Sequence, residues 1–364
     1  MGQPVVVGVA GSPSSLDAVE TAAHEAGLRG VGVRLVHAFG WPSLHVPPAG
    51  PPWNPAAAGV RELVDGTLAE AERRARHTAA RVEIARDVIV GEPSAVLVIA
   101  SRTASLVVIG SHGRSTVGDL LLGSTAGHLA AHGRCPVPVV RGRRAPGGPV
   151  LLALDDAPAS VPAVRFAFAE ARLRGAALTA VHVCRPGSAD AYDGPADPPF
   201  VTYDRSHLRD HAEHVLDGAL AGHEQRYPDV AVHRRPVVGR VRHTLIEASA
   251  DAQLLVVGAR GRGGFTGLLL ESVSQAVLHH AQCPVAVVRD GRGESPSLSS
   301  AGAVRVSLTA QGDERGVGSG RAGAVVWGSL PHTTAMPQVS VSAEKTRPAA
   351  ISEVRRRPGQ GCGR

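Results

Sequence analysis

Gly110, Gly113, Gly123 and Ser124 are the residues whose types and spacing point most directly to chemistry. They lie within residues 106–141, where a short apolar run ends in Gly110. Two residues separate Gly110 from Gly113, nine separate Gly113 from Gly123, and an alanine-rich helical pattern follows Ser124. A buried strand that enters a glycine-bearing loop and closes on a helix start lets main chain wrap phosphate. Glycines permit close approach, and the N–H groups of the loop and the helix N-terminus donate. The spacing matches neither the dinucleotide fingerprint nor the Walker loop, and no lysine stands where a Walker loop needs one. The same glycines can also serve a tight turn that lets a helix pack on a sheet.

The phosphate reading gains weight because the stretch occurs twice. Residues 254–289 repeat the pattern of 106–141 at an offset of 148. Upstream, Pro4-Val5-Val6-Val7 matches Pro149-Val150-Leu151-Leu152, Leu28-Arg29-Gly30 matches Leu173-Arg174-Gly175, and Val36-His37 matches Val181-His182, all at an offset of 145. A period this long is no solenoid; it means two homologous domains of ordinary size. The reading places them at 1–142 and 149–290, joined by a short glycine-bearing linker.

With G-x-x-G-x9-G-[ST] complete at Gly110, Gly113, Gly123 and Ser124, and the repeat running from residue 4 to 289, the sequence resembles the universal stress protein family in its tandem two-domain form. The resemblance implies an α/β fold of two tandem five-stranded parallel sheets, each with strand order 3-2-1-4-5. It also implies a stress-response regulatory role and, in the nucleotide-binding branch, ATP (or ADP or AMP) held by the loop, with Mg where phosphates need it.

The elements that must position the loop read as alternating strands and helices. Strands are expected at 5–9, 33–38, 84–90, 106–109 and 137–140, and again at 150–154, 178–183, 231–238, 254–257 and 285–288. The apolar runs lack polar alternation, as strands buried on both faces do. Ser15 is the expected cap of a first helix that runs to about Arg29 and stops at Gly30. Irregular loops are expected at 39–54, which is rich in proline, and at 185–203. Alternating strands and helices give right-handed crossovers and a parallel sheet covered on both faces. In such a sheet, ligands bind at the carboxyl ends of the strands where the order reverses, here between strands one and four. Gly110 opens from that place.

By resemblance, an aspartate after strand one and main chain after strand two contact the nucleoside, while the glycine loop and its Ser/Thr hold phosphate. In the first half Gly110, Gly113, Gly123, Ser124 and Thr125 fit, and Ala38 is expected to follow strand two, but Ala10 occupies the aspartate position. In the second half Asp155 is present, and Val183 is expected to follow strand two. Gly258, Gly261, Ser272 and Val273 fit there, but Glu271 replaces the third glycine. A lost hydrogen bond to a carboxylate costs about 1.5–3 kcal/mol. A carboxylate about 4 Å from a phosphate charge costs on the order of 4 kcal/mol at an effective dielectric near 20. The first half is therefore the better site. Arg114, Arg260 and Arg262 can neutralise phosphate or serve as solvated surface.

Composition narrows the alternatives. The formal net charge of +6 over 364 residues is located in the tail: residues 291–364 hold ten Lys and Arg against five Asp and Glu, leaving 28 against 27 elsewhere. A near-neutral body argues against a nucleic-acid surface. The four cysteines form no paired motif, and Cys135 and Cys283 recur before the last strand of each half as small buried hydrophobes. No apolar run approaches the roughly 18 residues of a membrane span, and no signal segment is evident, so a cytoplasmic protein without membrane partners is expected. Residues 291–364, rich in Ser, Gly and Arg, are expected to be disordered. His128, His132 and Cys135 make a weak candidate metal set, since helix-surface histidines are common. No dedicated catalytic base is evident, so at most slow ATP hydrolysis is expected. The last strands of the two sheets should pair antiparallel within the chain as a pseudo-dimer; a homodimer and an unidentified regulatory protein partner fit the same reading. The competing reading is an interaction module that no longer binds nucleotide.

Overall fold

The structure, a computed structural model, describes residues 2–39, 55–112, 122–143, 145, 147–155, 161–184, 205–259, 272–289 and 304–308. The first half consists of β1 (Val5–Gly8), α1 (Pro13–Arg29), β2 (Val33–Phe39), α2 (Pro55–Thr78), β3 (Ile84–Val90), α3 (Pro93–Ala100), β4 (Leu106–Gly110), α4 (Ser124–His132) and β5 (Val137–Val140). The second repeats it with β6 (Val150–Leu154), α5 (Val161–Arg174), β7 (Leu178–Cys184), α6 (Arg205–Glu224), β8 (Val232–Val238), α7 (Val241–Ala248), β9 (Leu254–Gly258), α8 (Ser272–His280) and β10 (Val285–Val288). The expected long loops at 39–54 and 185–203 fall almost wholly outside the described residues.

Helix α1 starts earlier than expected. Ser12, not Ser15, is its cap, and the Ser12 side chain accepts from the Ser15 N–H at 3.2 Å. Pro13 fits the first helical position because that residue's N–H has no intrahelical partner in any case. The helix ends at Gly30 with φ 62°, and the matching Gly175 has φ 59°. This left-handed conformation is cheap only for glycine, so the repeated Arg-Gly marks the same stop in both halves.

The order β3-β2-β1-β4-β5 in the first half and β8-β7-β6-β9-β10 in the second is the expected 3-2-1-4-5 twice over. Within each half all pairings are parallel; β5 and β10 join the halves antiparallel, with Val139 opposite Val285, Pro138 opposite Ala286 and Val137 opposite Val287. Main-chain groups alternate direction along a strand. The Pro136 and Val140 carbonyls accept from Val107 and Ser111 of the β4 side, so Pro138 faces β4 as well. Val137 and Val139 are thereby left to face β10. The proline thus removes a donor from the parallel side and none from the junction. One sheet results, and its two halves run in opposite senses, so the two sets of strand carboxyl ends open on opposite edges.

The strand β11 (Val304–Leu308) pairs antiparallel with β3. This corrects the expectation for the tail over those five residues. Val-Arg-Val-Ser-Leu alternates as a strand should, but it is too short to stand out from its Ser- and Gly-rich surroundings. The rest of 291–364 lies outside the described residues.

Side-chain alternation divides the core. Val5 and Val7 point to the α1/α2 face while Val6 points to the other. The second half packs α5 and α6 on its equivalent face. On the opposite face α3, α4, α7 and α8 cover a single cluster that runs through both halves, including Leu129, Val139, Val277 and Val285. Arg141 crosses the boundary, its guanidinium donating to the Ala281 carbonyl at 3.0 Å and to that of Leu278.

On the α1/α5 side the halves are closed by four charges. Glu25 and Arg29 on α1 match Glu170 and Arg174 on α5. Arg29 bridges to Glu170, Arg174 bridges to Glu25, and each arginine also holds the glutamate four residues before it. The ring obeys the same twofold relation as the strands. Burial pushes the Glu170 carboxyl above the ordinary range, against the attraction of Arg174. A buried ring of this kind need not beat an apolar one, but opening it strands a charge. Glu170→Ala is expected to lower the unfolding free energy by about 3–5 kcal/mol. Replacing all four residues by apolar ones should cost less than that single change. Urea denaturation measures both, and a single-variant loss under about 1 kcal/mol would show the ring to be solvated.

Candidate functional site

The carboxyl ends of β1 and β4 sit side by side, so the reversal of strand order falls between them. Three serines occupy the turn that leaves β1. The Ser15 hydroxyl accepts from the Ala10 N–H at 3.2 Å. The Ser12 hydroxyl donates to the His112 carbonyl at 3.3 Å, and the His112 N–H donates to the Ser14 hydroxyl at 3.3 Å. The β1 turn and the β4 loop are therefore stitched across the mouth of the crevice. The stitching serines and His112 were not among the expected site residues; only their closeness in space, 98 to 100 residues apart in sequence, brings them together.

Gly110 has a clear steric reason. A Cβ there would stand 2.5 Å from both the carbonyl oxygen and the hydroxyl of Ser14. Its immediate role is the close approach of the first turn of α1. Farther along, Gly123 caps α4 with an extended backbone, its N–H donating to the Ser111 carbonyl at 2.7 Å. It has no side chain to cap with, so no oxygen of the cap residue's own side chain meets the first N–H groups of α4. Ser124 is exposed and Thr125 half-buried at that end. Beside it, His112 places Nδ1 2.7 Å from the Ser111 hydroxyl, while its buried Nε2 has no hydrogen-bond partner among the described residues. Gly113 and Arg114 lie outside the described residues.

Ala38 and Val183 do not follow their strands; they are inside β2 and β7, paired with Ile89 and Val237. Both side chains pack against the shared core, so only their main chain can meet a ligand. The strands run on to Phe39 and Cys184, so each residue is followed by one more paired position. Their neighbours His37 and His182 point to the opposite face of the sheet. Nδ1 of His37 lies 2.8 Å from the Val9 carbonyl, and Nδ1 of His182 lies 3.0 Å from the Leu154 carbonyl. Each histidine ties the end of strand two to the end of strand one.

In the second half, Asp155 follows β6 and is half-buried, Gly258 ends β9, and Ser272 and Val273 open α8. The buried Ser274 hydroxyl donates to the Gly258 carbonyl at 2.8 Å. Gly261, Glu271, Arg260 and Arg262 lie outside the described residues. Cys135 and Cys283 are packed beneath the last strands, where burial pushes both thiols up to about 12. They are inert packing groups at neutral pH. His128 and His132 stack on α4 with ring centroids 4.1 Å apart, and His132 Nδ1 is turned back onto the His128 carbonyl. With Cys135 they form no convergent ligand set among the described residues.

The sequence profile of the universal stress protein family matches residues 1–141 and 148–289. The chain belongs to that family. Two universal stress proteins of Mycobacterium tuberculosis are each 36% identical to it, one over 307 residues and one over 295. The matches cover 78% of this chain and 94% and 96% of the relatives. Among solved structures, a universal stress protein from Archaeoglobus fulgidus aligns with a TM-score of 0.58 at 19% identity, covering 79% of this chain and 99% of its own. A universal stress protein structure from Pseudomonas aeruginosa gives 0.50 at 16% identity, covering 79% and 92%. These structural likenesses show the fold, two universal stress protein repeats on a mostly parallel sheet. Among the described residues, no helix is long and apolar enough to cross a membrane.

A side chain at Gly110 would collide with Ser14 of the first turn of α1. Gly110→Ala is expected to lower stability by about 1–3 kcal/mol, because the atoms in the way are partly main chain. Chemical denaturation checks this. An unchanged midpoint would mean that the first turn of α1 moves aside at no cost.

Proposed function

We propose that this universal stress protein is a stress-response regulator that binds an adenine nucleotide (ATP, ADP or AMP) between β1 and β4 of its first half, with little or no turnover. The observation that carries the reading is the start of α4. Its N–H groups receive no side-chain cap from Gly123, at the edge of the sheet where the strand order reverses, beside a buried His112 Nε2 that has no partner among the described residues. An anion placed there meets main-chain donors and the positive end of the helix dipole.

The residues divide the work accordingly. The N–H groups of Ser124 and Thr125, with the Ser124 hydroxyl, are the donors for phosphate. Arg114 and a magnesium ion would share the remaining negative charge. The nucleoside would lie over the ends of β1 and β2, against the main chain of Ala10 and Ala38. Ala10 has no carboxylate to offer it. Asp155 supplies that carboxylate in the second half, where Glu271 sits at the third glycine position of the motif. The glycine motif carries no Walker lysine, which fits a ligand that is held rather than consumed.

A second reading rests on a specific observation. The Ser12 and Ser14 stitches and the Gly110 contact explain the first-half glycine without any ligand. In that case the chain is an interaction module. Calorimetry on the purified chain separates the two. The nucleotide reading expects at most one tight ATP site in the wild type, tightened about 10–100-fold by Ala10→Asp through the added carboxylate contact. Glu271→Gly should add a second site. Two equal sites in the wild type would overturn the ranking of the halves. No binding by the wild type or either variant would leave the interaction module as the function.

A further inference from the structure

The second half contains a side-chain cluster that the nucleotide reading does not use. His182 and Cys184 stand two residues apart on β7, hence on one face of the sheet, and α6 lays His211 over them. One ligand atom from each of the three lies within 4.8 Å of the others, and this is the one such triple of His, Cys, Asp or Glu among the described residues. His182 and Cys184 are buried and His211 is half-buried. The rings of His182 and His211 meet edge to face, with centroids 6.3 Å apart. Leu208 and Ala212 pack beside Cys184 and wall the cluster on the helix side.

We propose that His182, Cys184 and His211 bind a zinc ion that ties α6 to the end of β7. Two imidazoles and one thiolate are a borderline-soft donor set suited to zinc. The geometry already selects the ligand atom of His182. Its Nδ1 lies 3.0 Å from the Leu154 carbonyl, which can only accept, so Nδ1 carries the proton and Nε2 the lone pair. A main-chain carbonyl behind a histidine is the outer support that metal-bound imidazoles ordinarily have. Zinc–nitrogen bonds of about 2.0–2.1 Å and a zinc–sulfur bond of about 2.3 Å put tetrahedral ligand atoms roughly 3.3–3.8 Å apart. Ligand atoms within 4.8 Å of one another need to close by about 1 Å at most to reach that geometry. On binding, the Cys184 thiol gives its proton to solvent and the sulfur becomes a thiolate ligand. Three protein ligands leave a fourth position for water or another small donor.

The pseudo-repeat argues that the cluster is more than packing. His37 in the first half makes the same bond to its strand-one carbonyl, so that bond accounts for the histidine in both halves. It does not account for Cys184, whose place in β2 is taken by Phe39, or for a histidine brought over it from α6. Among the described residues the convergent donors belong to the second half, the same half in which the phosphate motif carries Glu271.

The test uses the untagged full chain, stripped with a chelator and dialysed. Zinc titration followed by calorimetry and elemental analysis should give one tight ion per chain, and thermal denaturation should move upward with zinc. Cobalt(II) should bind in its place with a thiolate-to-cobalt charge-transfer band in the near ultraviolet. Cys184→Ser should abolish that band, and His211→Ala, on a half-buried helical position, should weaken zinc by at least about 100-fold, more than loss of an outer-shell partner costs. His128→Ala, on α4, should leave both unchanged. Absence of a tight zinc ion in the wild type would overturn the proposal. So would tight zinc, or a charge-transfer band, that survives in both Cys184→Ser and His211→Ala.

Discussion

A parallel sheet ends in a strand whose outer main-chain donors and acceptors face nothing, and this chain meets that constraint by building the sheet twice. β5 and β10 are four residues each, nearly all buried, and too apolar to stand as free edges. Paired antiparallel, each satisfies the other, and the small Ala286 opposite Pro138 marks the centre of the twofold relation. Everything else follows its symmetry. The shared core cluster runs across the junction, and the Glu25–Arg29–Glu170–Arg174 ring closes the opposite face. Phe166 packs against the α1/α2 core and the α5/α6 core alike.

The same antiparallel junction separates the two sets of strand carboxyl ends. With the halves running in opposite senses, their strand carboxyl ends open on opposite edges, and the sequence at each has diverged. The first keeps the complete glycine motif and lacks the carboxylate after strand one. The second keeps Asp155, places Glu271 in the loop, and gathers His182, Cys184 and His211 over β7. The invariant between them is mechanical: His37 and His182 each pin strand two to strand one through the same carbonyl.

Much of this was legible in the sequence, because it is carried by local signals. Continuous apolar runs marked the buried strands to within a residue or two, and Arg29-Gly30 and Arg174-Gly175 marked matching helix stops. The 148-residue repeat marked two homologous domains, the resemblance to the family implied the strand order, and the glycine motif fell at the crevice which that order implies. What escaped reading depends on contacts between distant segments. Glu25 and Arg29 look like an ordinary solvated pair on a helix, until α5 brings the same pair against them. Ser12, Ser14 and Gly110 become one contact only when β1 lies beside β4. Cys184 and His211 are separated by a loop and share no local pattern. β11 was missed for another reason: five alternating residues carry too little signal beside a long stretch of Ser, Gly and Arg.

The claim on which the account rests is that the two halves are one cooperative body joined at β5 and β10. Native-state hydrogen exchange on the amides of Val137, Val139, Val285 and Val287 tests it most directly. The account predicts that these four exchange only through global unfolding, with the same free energy as Val5–Val7 of β1 and Val150–Leu154 of β6, and that denaturant lowers all of them together. Junction amides that exchange at a distinctly lower free energy, or two halves that lose protection at separate denaturant concentrations, would contradict it.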